Sequence, residues 1–372
     1  MNNGIDNLKQ YAHLFKGRRI GLITNPSAVT KRLELTADVL ARNFTLTALF
    51  GPEHGIRGDA QAGGVVADSR DTVLDVPVFS LFGQSKRISK EAFDLIDVLC
   101  YDIQDVGARF YTFIYTLAMA MEDAARANKP VIVFDRANPL GGIITEGILL
   151  DTARLASFVG MYPMPTRYAL TVGEFARYIN DTFAIGCDLT VIPCTMHWRG
   201  TFFSTMRRQW IPPSPNIPTF LTALAYIGTC IFEGTNVSEG RGTTQPFEVI
   251  GAPFIDANRL AERLNRHAYG GVVYRPVHFT PMFSKYAGEL CHGVQMHIPF
   301  PSIARPFEAG LQLCEEIRTL WPDDFAFKPE TFSRLLGTES YVAGKESASE
   351  IIQRANFESI DFAKKTRRFW LY

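Results

Sequence analysis

Leu46-Thr47-Ala48-Leu49-Phe50-Gly51-Pro52-Glu53-His54-Gly55 passes from an apolar run straight into a polar, glycine-bearing turn. A short apolar run closed by Gly-Pro reads as a strand buried on both faces, the kind that builds parallel sheets. Side chains that follow such a strand face the crevice beyond its carboxyl end, where α/β proteins bind ligands. Here those side chains are a carboxylate (Glu53), an imidazole (His54), a guanidinium (Arg57) and a second carboxylate (Asp59), in a loop reaching Gly63 whose glycines let backbone approach a ligand closely. The combination reads as chemistry rather than scaffolding.

On either side of this stretch, similar short strands alternate with amphipathic segments. Arg19–Thr24, Thr45–Phe50, Val78–Leu81, Val98–Ile103, Pro130–Asp135 and Leu189–Ile192 are strand candidates. Helices are expected over Leu35–Asn43, Lys90–Leu95, Thr112–Asn128 and Val172–Thr182. That alternation implies right-handed βαβ units and a mostly parallel sheet. After the proline cluster Pro212–Pro218 the texture changes. A helix at Thr219–Tyr226, short strands at Gly271–Tyr274 and Gly293–Ile298, and helices at Asn258–His267 and Pro306–Thr319 describe a smaller α+β domain. The chain therefore reads as an α/β protein in two domains, residues 1–230 and 231–372.

Composition narrows the function. The 372 residues carry 38 basic and 38 acidic side chains, which cancel and leave no electrostatic footprint for nucleic acid. The cysteines at 100, 187, 194, 230, 291 and 314 contain no CxxC pair and read as buried thiols. No apolar run is long enough for a membrane span. The polar start Met1–Asp6 lacks a signal-peptide core, which fits either a cytoplasmic protein or the mature form of an exported one. Oligomeric state is not legible.

The polar residues gather where strands end. The fourth strand runs into Asp102-Ile103-Gln104-Asp105, then Arg109, Phe110 and Tyr111, and the fifth into Asp135-Arg136-Ala137-Asn138. In a parallel sheet these loops share one edge with Glu53, so distant residues converge. The second half contributes Glu233–Thr244, in which Glu239 and Arg241 read either as a salt-bridged loop or as a clamp facing the first domain across a cleft. There is no GxGxxG turn, phosphate loop, GxSxG elbow or HExxH. His292 and His297 fall on opposite faces of a strand, so they make no metal pair. These absences favour carboxylate acid–base chemistry without a cofactor. Glu53 is the expected general acid, on a loop whose apolar surroundings would raise its pKa, with His54 and Arg57 opposing that shift. Asp102, Asp105 and Glu239 compete for the role of second carboxylate.

The motifs GPEHGIRGDAQAG, IQDVGARFYT, DRANPLGG, PPSPN, FEGTNVSEGRGTTQPFE, GAPFID and FTPMFSKYAGELCHGVQMHI occur in this order. Together they resemble the exo-β-N-acetylmuramidase family, over nearly the whole chain from Gly17 onward. The resemblance implies a Rossmann-like first domain without dinucleotide, a smaller second domain and a cleft between them. It also implies removal of β-linked N-acetylmuramic acid from the non-reducing end of peptide-free peptidoglycan fragments, so that peptidoglycan-derived saccharides are the partners. It assigns Glu53 as general acid and places His54, Arg57, Asp105, Arg109, Tyr111, Asn138, Asn216, Glu239 and Arg241 along the cleft. The substrate's lactyl carboxylate calls for an arginine fork, with Arg57, Arg109, Arg167 and Arg241 as candidates.

The chain departs from the family pattern at Arg167-Tyr168-Ala169-Leu170-Thr171, where members commonly read Arg-His-Gly-Met-Thr, and at Ala137, where a proline is usual. Tyr168 either faces the ligand and alters substrate preference or repacks locally. Two other readings compete with the glycosidase. One is a non-catalytic muropeptide- or amino-sugar-binding protein on the same scaffold. The other is a metal-dependent hydrolase built on Glu53, His54 and Asp102.

Overall fold

The computed structural model describes residues 1–57, 68–83, 85–267 and 269–372; Gly58, Asp59 and Gly63 of the loop after the second strand lie outside the described residues. The first half alternates strands and helices. It runs β1 (Arg19–Thr24), α1 (Thr36–Asn43), β2 (Thr45–Gly51), β3 (Ser69–Arg70), β4 (Pro77–Ser80), α2 (Lys90–Asp94) and β5 (Val98–Asp102). It continues through α3 (Phe113–Arg126), β6 (Val131–Phe134), α4 (Thr152–Leu155), α5 (Val172–Thr182) and β7 (Leu189–Ile192). These strands form one sheet in the order β3-β4-β2-β1-β5-β6-β7, parallel except for β3 at the edge. Strands β5 and β6 are buried throughout, because helices cover both faces; their residues are apolar whichever way they point, apart from Asp102 at the end of β5.

From β1 the chain winds outward through β2 to β4, then returns to β5 and winds the other way to β7. The order thus reverses between β1 and β5, and the crevice at such a switch point opens beyond the carboxyl ends of the strands. The loops after β2 and β5 are the ones that carry Glu53 and Asp105.

The second half begins with α6 (Phe220–Thr229) and continues through β8 (Val249–Ala252), α7 (Ala257–His267), β9 (Val273–Phe279), β10 (Cys291–His297), α8 (Pro306–Leu320), α9 (Pro329–Leu336) and α10 (Ala348–Thr366). Its sheet is antiparallel, β8-β10-β9. Helices α6 and α8 meet almost backbone to backbone: a Cβ on Gly228 would stand 1.9 Å from the Pro306 carbonyl oxygen, and one on Gly310 would stand 2.1 Å from the Gly228 carbonyl oxygen. Only glycine at both positions permits that approach.

The chain then returns to the first domain. After α10, Arg177 Nη1 donates to the Phe369 carbonyl and Arg368 pairs with Asp181. The Leu371 amide donates to Glu174, and the Tyr372 hydroxyl donates to Asp135 while accepting from the Cys194 amide.

The sequence reading omits β8, α9 and α10. It also misses the cross-strand partner of His292: in the β9–β10 register it faces His278, with the two Nδ1 atoms 2.7 Å apart, while His297 pairs with Val273. All six cysteines are free and buried. Among the described residues no helix is long and apolar enough to cross a membrane.

Candidate active site

The turn after β2 is held tightly. The Gly55 amide donates to the Pro52 carbonyl, the Leu81 amide donates to the Gly51 carbonyl, and His54 and Gly55 both take φ near +70°. For histidine that conformation is uncommon and tends to persist where the surroundings enforce it, often at functional sites. It leaves Glu53 half-buried, with the Thr112 hydroxyl donating to its Oε2 at 2.8 Å. The His54 ring meets the Phe113 ring edge-on.

Glu53 and His54 line a cleft with Tyr111 and Thr112 from the segment before α3, Ser214 and Asn216 from the proline cluster, and Tyr226 and Arg241 from the second half. Five sequence candidates thus meet in one place: Glu53, His54, Tyr111, Asn216 and Arg241. The walls are aromatic. Phe110 packs edge-on to Tyr226, and Tyr226 to Phe247, at centroid distances of 4.8 and 4.5 Å. The Arg241 guanidinium lies 5.0 Å over the Phe247 ring. Apolar walls with a few convergent polar groups are what a small-molecule site needs.

Two side chains in this region hold unmatched polar atoms. The Tyr111 hydroxyl is buried, and no group among the described residues stands in hydrogen-bonding geometry to it. Burial, then the charges of Asp105 and Glu53, push this phenol well above its ordinary pKa, so it remains a donor. Asp105 is buried behind it. The Tyr168 hydroxyl and the Gly107 amide donate to Asp105 Oδ2, while Oδ1 has no partner. Tyr168 is sealed in the interior, so the departure from the usual histidine changes the partner of Asp105 and makes no wall of the cleft.

Burial raises Asp105 to about 6, against the pull of Tyr168 and the Gly107 and Val106 amides. A carboxylate raised in this way binds its proton more tightly in the folded chain. Its stabilisation is complete below the unfolded value near 4 and is lost as pH rises through about 6. Asp135, also raised to about 6 by burial, behaves alike. Between about pH 4 and pH 7 the urea midpoint of the parent protein is expected to decline relative to that of Asp105→Asn, which lacks this contribution. Identical slopes in the two proteins would contradict this.

Other candidates are held elsewhere. Asp102 is fully buried, gripped by Arg136 through Nε at 2.5 Å and Nη2 at 2.9 Å, and by the Thr36 hydroxyl at 2.5 Å. Arg109 donates to the carbonyls of Arg334 and Leu335, and Arg167 to Glu146 and the Leu140 carbonyl; neither has exposed surface. Asn138 ties the Leu170 carbonyl to the Leu140 amide and packs against Gly107, where a Cβ would come within 2.5 Å of its Oδ1. Arg57 pairs with Asp71 at 2.5 Å on the wall of a neighbouring cavity. Asp135 anchors the start of α5 through the Thr171 hydroxyl and the Gly173 amide.

Glu239 stands one side chain back from the cleft. It pairs with Arg241 at 3.5 Å and Lys285 at 2.9 Å, and Arg241 also pairs with Glu233 at 2.6 Å. Sequence reasoning missed Lys285 and the aromatic walls Tyr226 and Phe247. The signal for Lys285 was its place in the FTPMFSKYAGEL motif, but nothing local connects that motif to Glu239.

Two family models match successive parts of the chain. Residues 20–221 match the N-terminal family model, and residues 224–372 the C-terminal family model, of the exo-β-N-acetylmuramidase NamZ. The peptidoglycan β-N-acetylmuramidase NamZ of Bacillus subtilis is 44% identical over 380 residues, spanning all of this chain and 91% of that protein. Crystal structures of two DUF1343-family proteins from Bacteroides fragilis superpose with TM-scores of 0.93 and 0.80, at 34% and 30% identity; each match covers all of this chain and 98% of the other.

Proposed function

Because the chain belongs to the exo-β-N-acetylmuramidase NamZ family, we propose that its cleft removes β-linked N-acetylmuramic acid from the non-reducing end of peptide-free peptidoglycan saccharides, in turnover or salvage of cell wall. The observation that carries this reading is the meeting of Glu53, Tyr111, Asn216 and Arg241 in one cleft from both halves of the chain.

Glu53 is the carboxylate that lines the cleft among the described residues, and it takes the role of general acid. Its proton passes to the glycosidic oxygen as the bond from that oxygen to the anomeric carbon breaks, and the remaining saccharide leaves as an alcohol. Water completes the hydrolysis at the anomeric carbon. The Thr112 hydrogen bond fixes the plane of the carboxyl group. Tyr111 supplies a hydroxyl donor, and Glu239, paired with Arg241, acts on the ligand through that arginine rather than by contact.

Of the four arginine candidates, Arg241 alone lines the cleft among the described residues, and it is assigned to the lactyl carboxylate of the substrate. A charge-assisted hydrogen bond contributes roughly 1.5–3 kcal/mol. Arg241→Gln is therefore expected to lower the ratio of kcat/KM for a β-N-acetylmuraminide to that for the matching β-N-acetylglucosaminide by roughly 10- to 100-fold. The ratio is the proper readout because Arg241 also holds Glu233 and Glu239 in place. A constant ratio would remove Arg241 from carboxylate recognition.

The reading as a whole is tested by incubating the protein with the MurNAc–GlcNAc disaccharide and following free N-acetylmuramic acid by mass spectrometry. Release is expected; no release, under conditions where the B. subtilis relative is active, would overturn it.

A further inference from the structure

The connection between β9 and β10, residues 280–290, is much longer than a hairpin needs, yet it is firmly held. Lys285 Nζ donates to the Phe232 carbonyl at 2.6 Å, the Val237 carbonyl at 2.9 Å and Glu239 at 2.9 Å. The Tyr286 hydroxyl donates to the Asn236 carbonyl, and the Met282 amide donates to the Gly242 carbonyl. Gly242 lies against the loop so closely that a Cβ there would stand 2.4 Å from the Phe283 carbonyl oxygen. Ser284 and Tyr286 take φ of +74° and +57°, conformations that residues with side chains rarely adopt unless their surroundings impose them.

All this fixing displays two apolar side chains to solvent. Met282 is 80% exposed and Phe283 46% exposed, next to Gly242 and hence beside Arg241 in the cleft wall. Single exposed apolar side chains are ordinary on a protein surface, but these two are adjacent, sit on a fixed backbone and stand beside a cleft, the setting in which an exposed apolar patch serves a ligand.

We propose that Met282 and Phe283 form the platform for the sugar on the leaving-group side of the scissile bond. The proposal rests on the glycosidase reading above. An enzyme that removes a terminal sugar encloses that sugar, and the rest of the saccharide leaves through the mouth of the cleft. The C–H face of a pyranose ring suits an aromatic ring flanked by a pliable thioether. Binding energy collected there is drawn on at the reacting bond, as it is for remote parts of other substrates.

The test compares two substrates of the full-length protein: the MurNAc–GlcNAc disaccharide, and N-acetylmuramyl β-fluoride, whose leaving group has no ring to stack. The double variant Met282→Ala/Phe283→Ala is expected to lower the disaccharide-to-fluoride ratio of kcat/KM by roughly ten-fold, and Phe283→Tyr to keep it. An unaltered ratio, whether both rates hold or both fall together, overturns the platform. Failure of the unmodified protein on both substrates would instead overturn the glycosidase reading.

Discussion

Glu53→Gln is expected to lower kcat on the MurNAc–GlcNAc disaccharide by about 10²–10⁴-fold, the usual contribution of a positioned general acid. The amide keeps the size of the side chain and an oxygen that accepts from Thr112, so the turn after β2 and the thermal transition should persist. What it lacks is a transferable proton. The deficit should therefore track the leaving group: large for a sugar alcohol, which departs poorly as an alkoxide, and much smaller for fluoride, which departs without protonation. Near-normal turnover of the disaccharide in this variant would remove Glu53 from the mechanism.

The second large effect concerns stability. Asp102→Ala is expected to destabilise the fold by about 3–5 kcal/mol, because it leaves the buried Arg136 guanidinium without its counter-charge. Urea unfolding followed by circular dichroism measures this directly. Adding Arg136→Met should recover part of the loss, since it removes the orphaned charge as well. A variant that unfolds like the parent but turns over orders of magnitude more slowly would return Asp102 to the chemistry.

These two carboxylates look alike in the sequence, Asp102 closing an apolar strand and Glu53 following one. The sheet itself was legible, since buried parallel strands announce themselves as short apolar runs and the loops at their carboxyl ends must share an edge. Which loop residues point into the cleft was not. Arg109 finds its partners at Arg334 and Leu335, more than two hundred residues away, and Arg167 is held by Glu146 inside the first domain. A side chain's charge is local information, and its partner is not. The second domain was harder for the same reason, because its antiparallel pairings and the anchoring of Lys285 depend on contacts across the chain. Helix α10 is different: Ser347 and Glu350 form a capping box with reciprocal hydrogen bonds, a pattern visible in the sequence as Ser-x-x-Glu.

The return of the chain through Phe369, Leu371 and Tyr372 to the first domain has a kinematic consequence. A body hung from another by one connection can swing in any direction about that point. The second domain is attached at many points: where the chain enters it near α6, where it docks again on α5 and β7, and between these where Arg109 donates to the Arg334 and Leu335 carbonyls, the Phe307 amide to Glu146 and the Leu149 amide to Glu358. A body held at several separated points has no free axis left to turn about. The aperture between Glu53 and Arg241 is therefore set by these attachments together with the way the chain closes on itself.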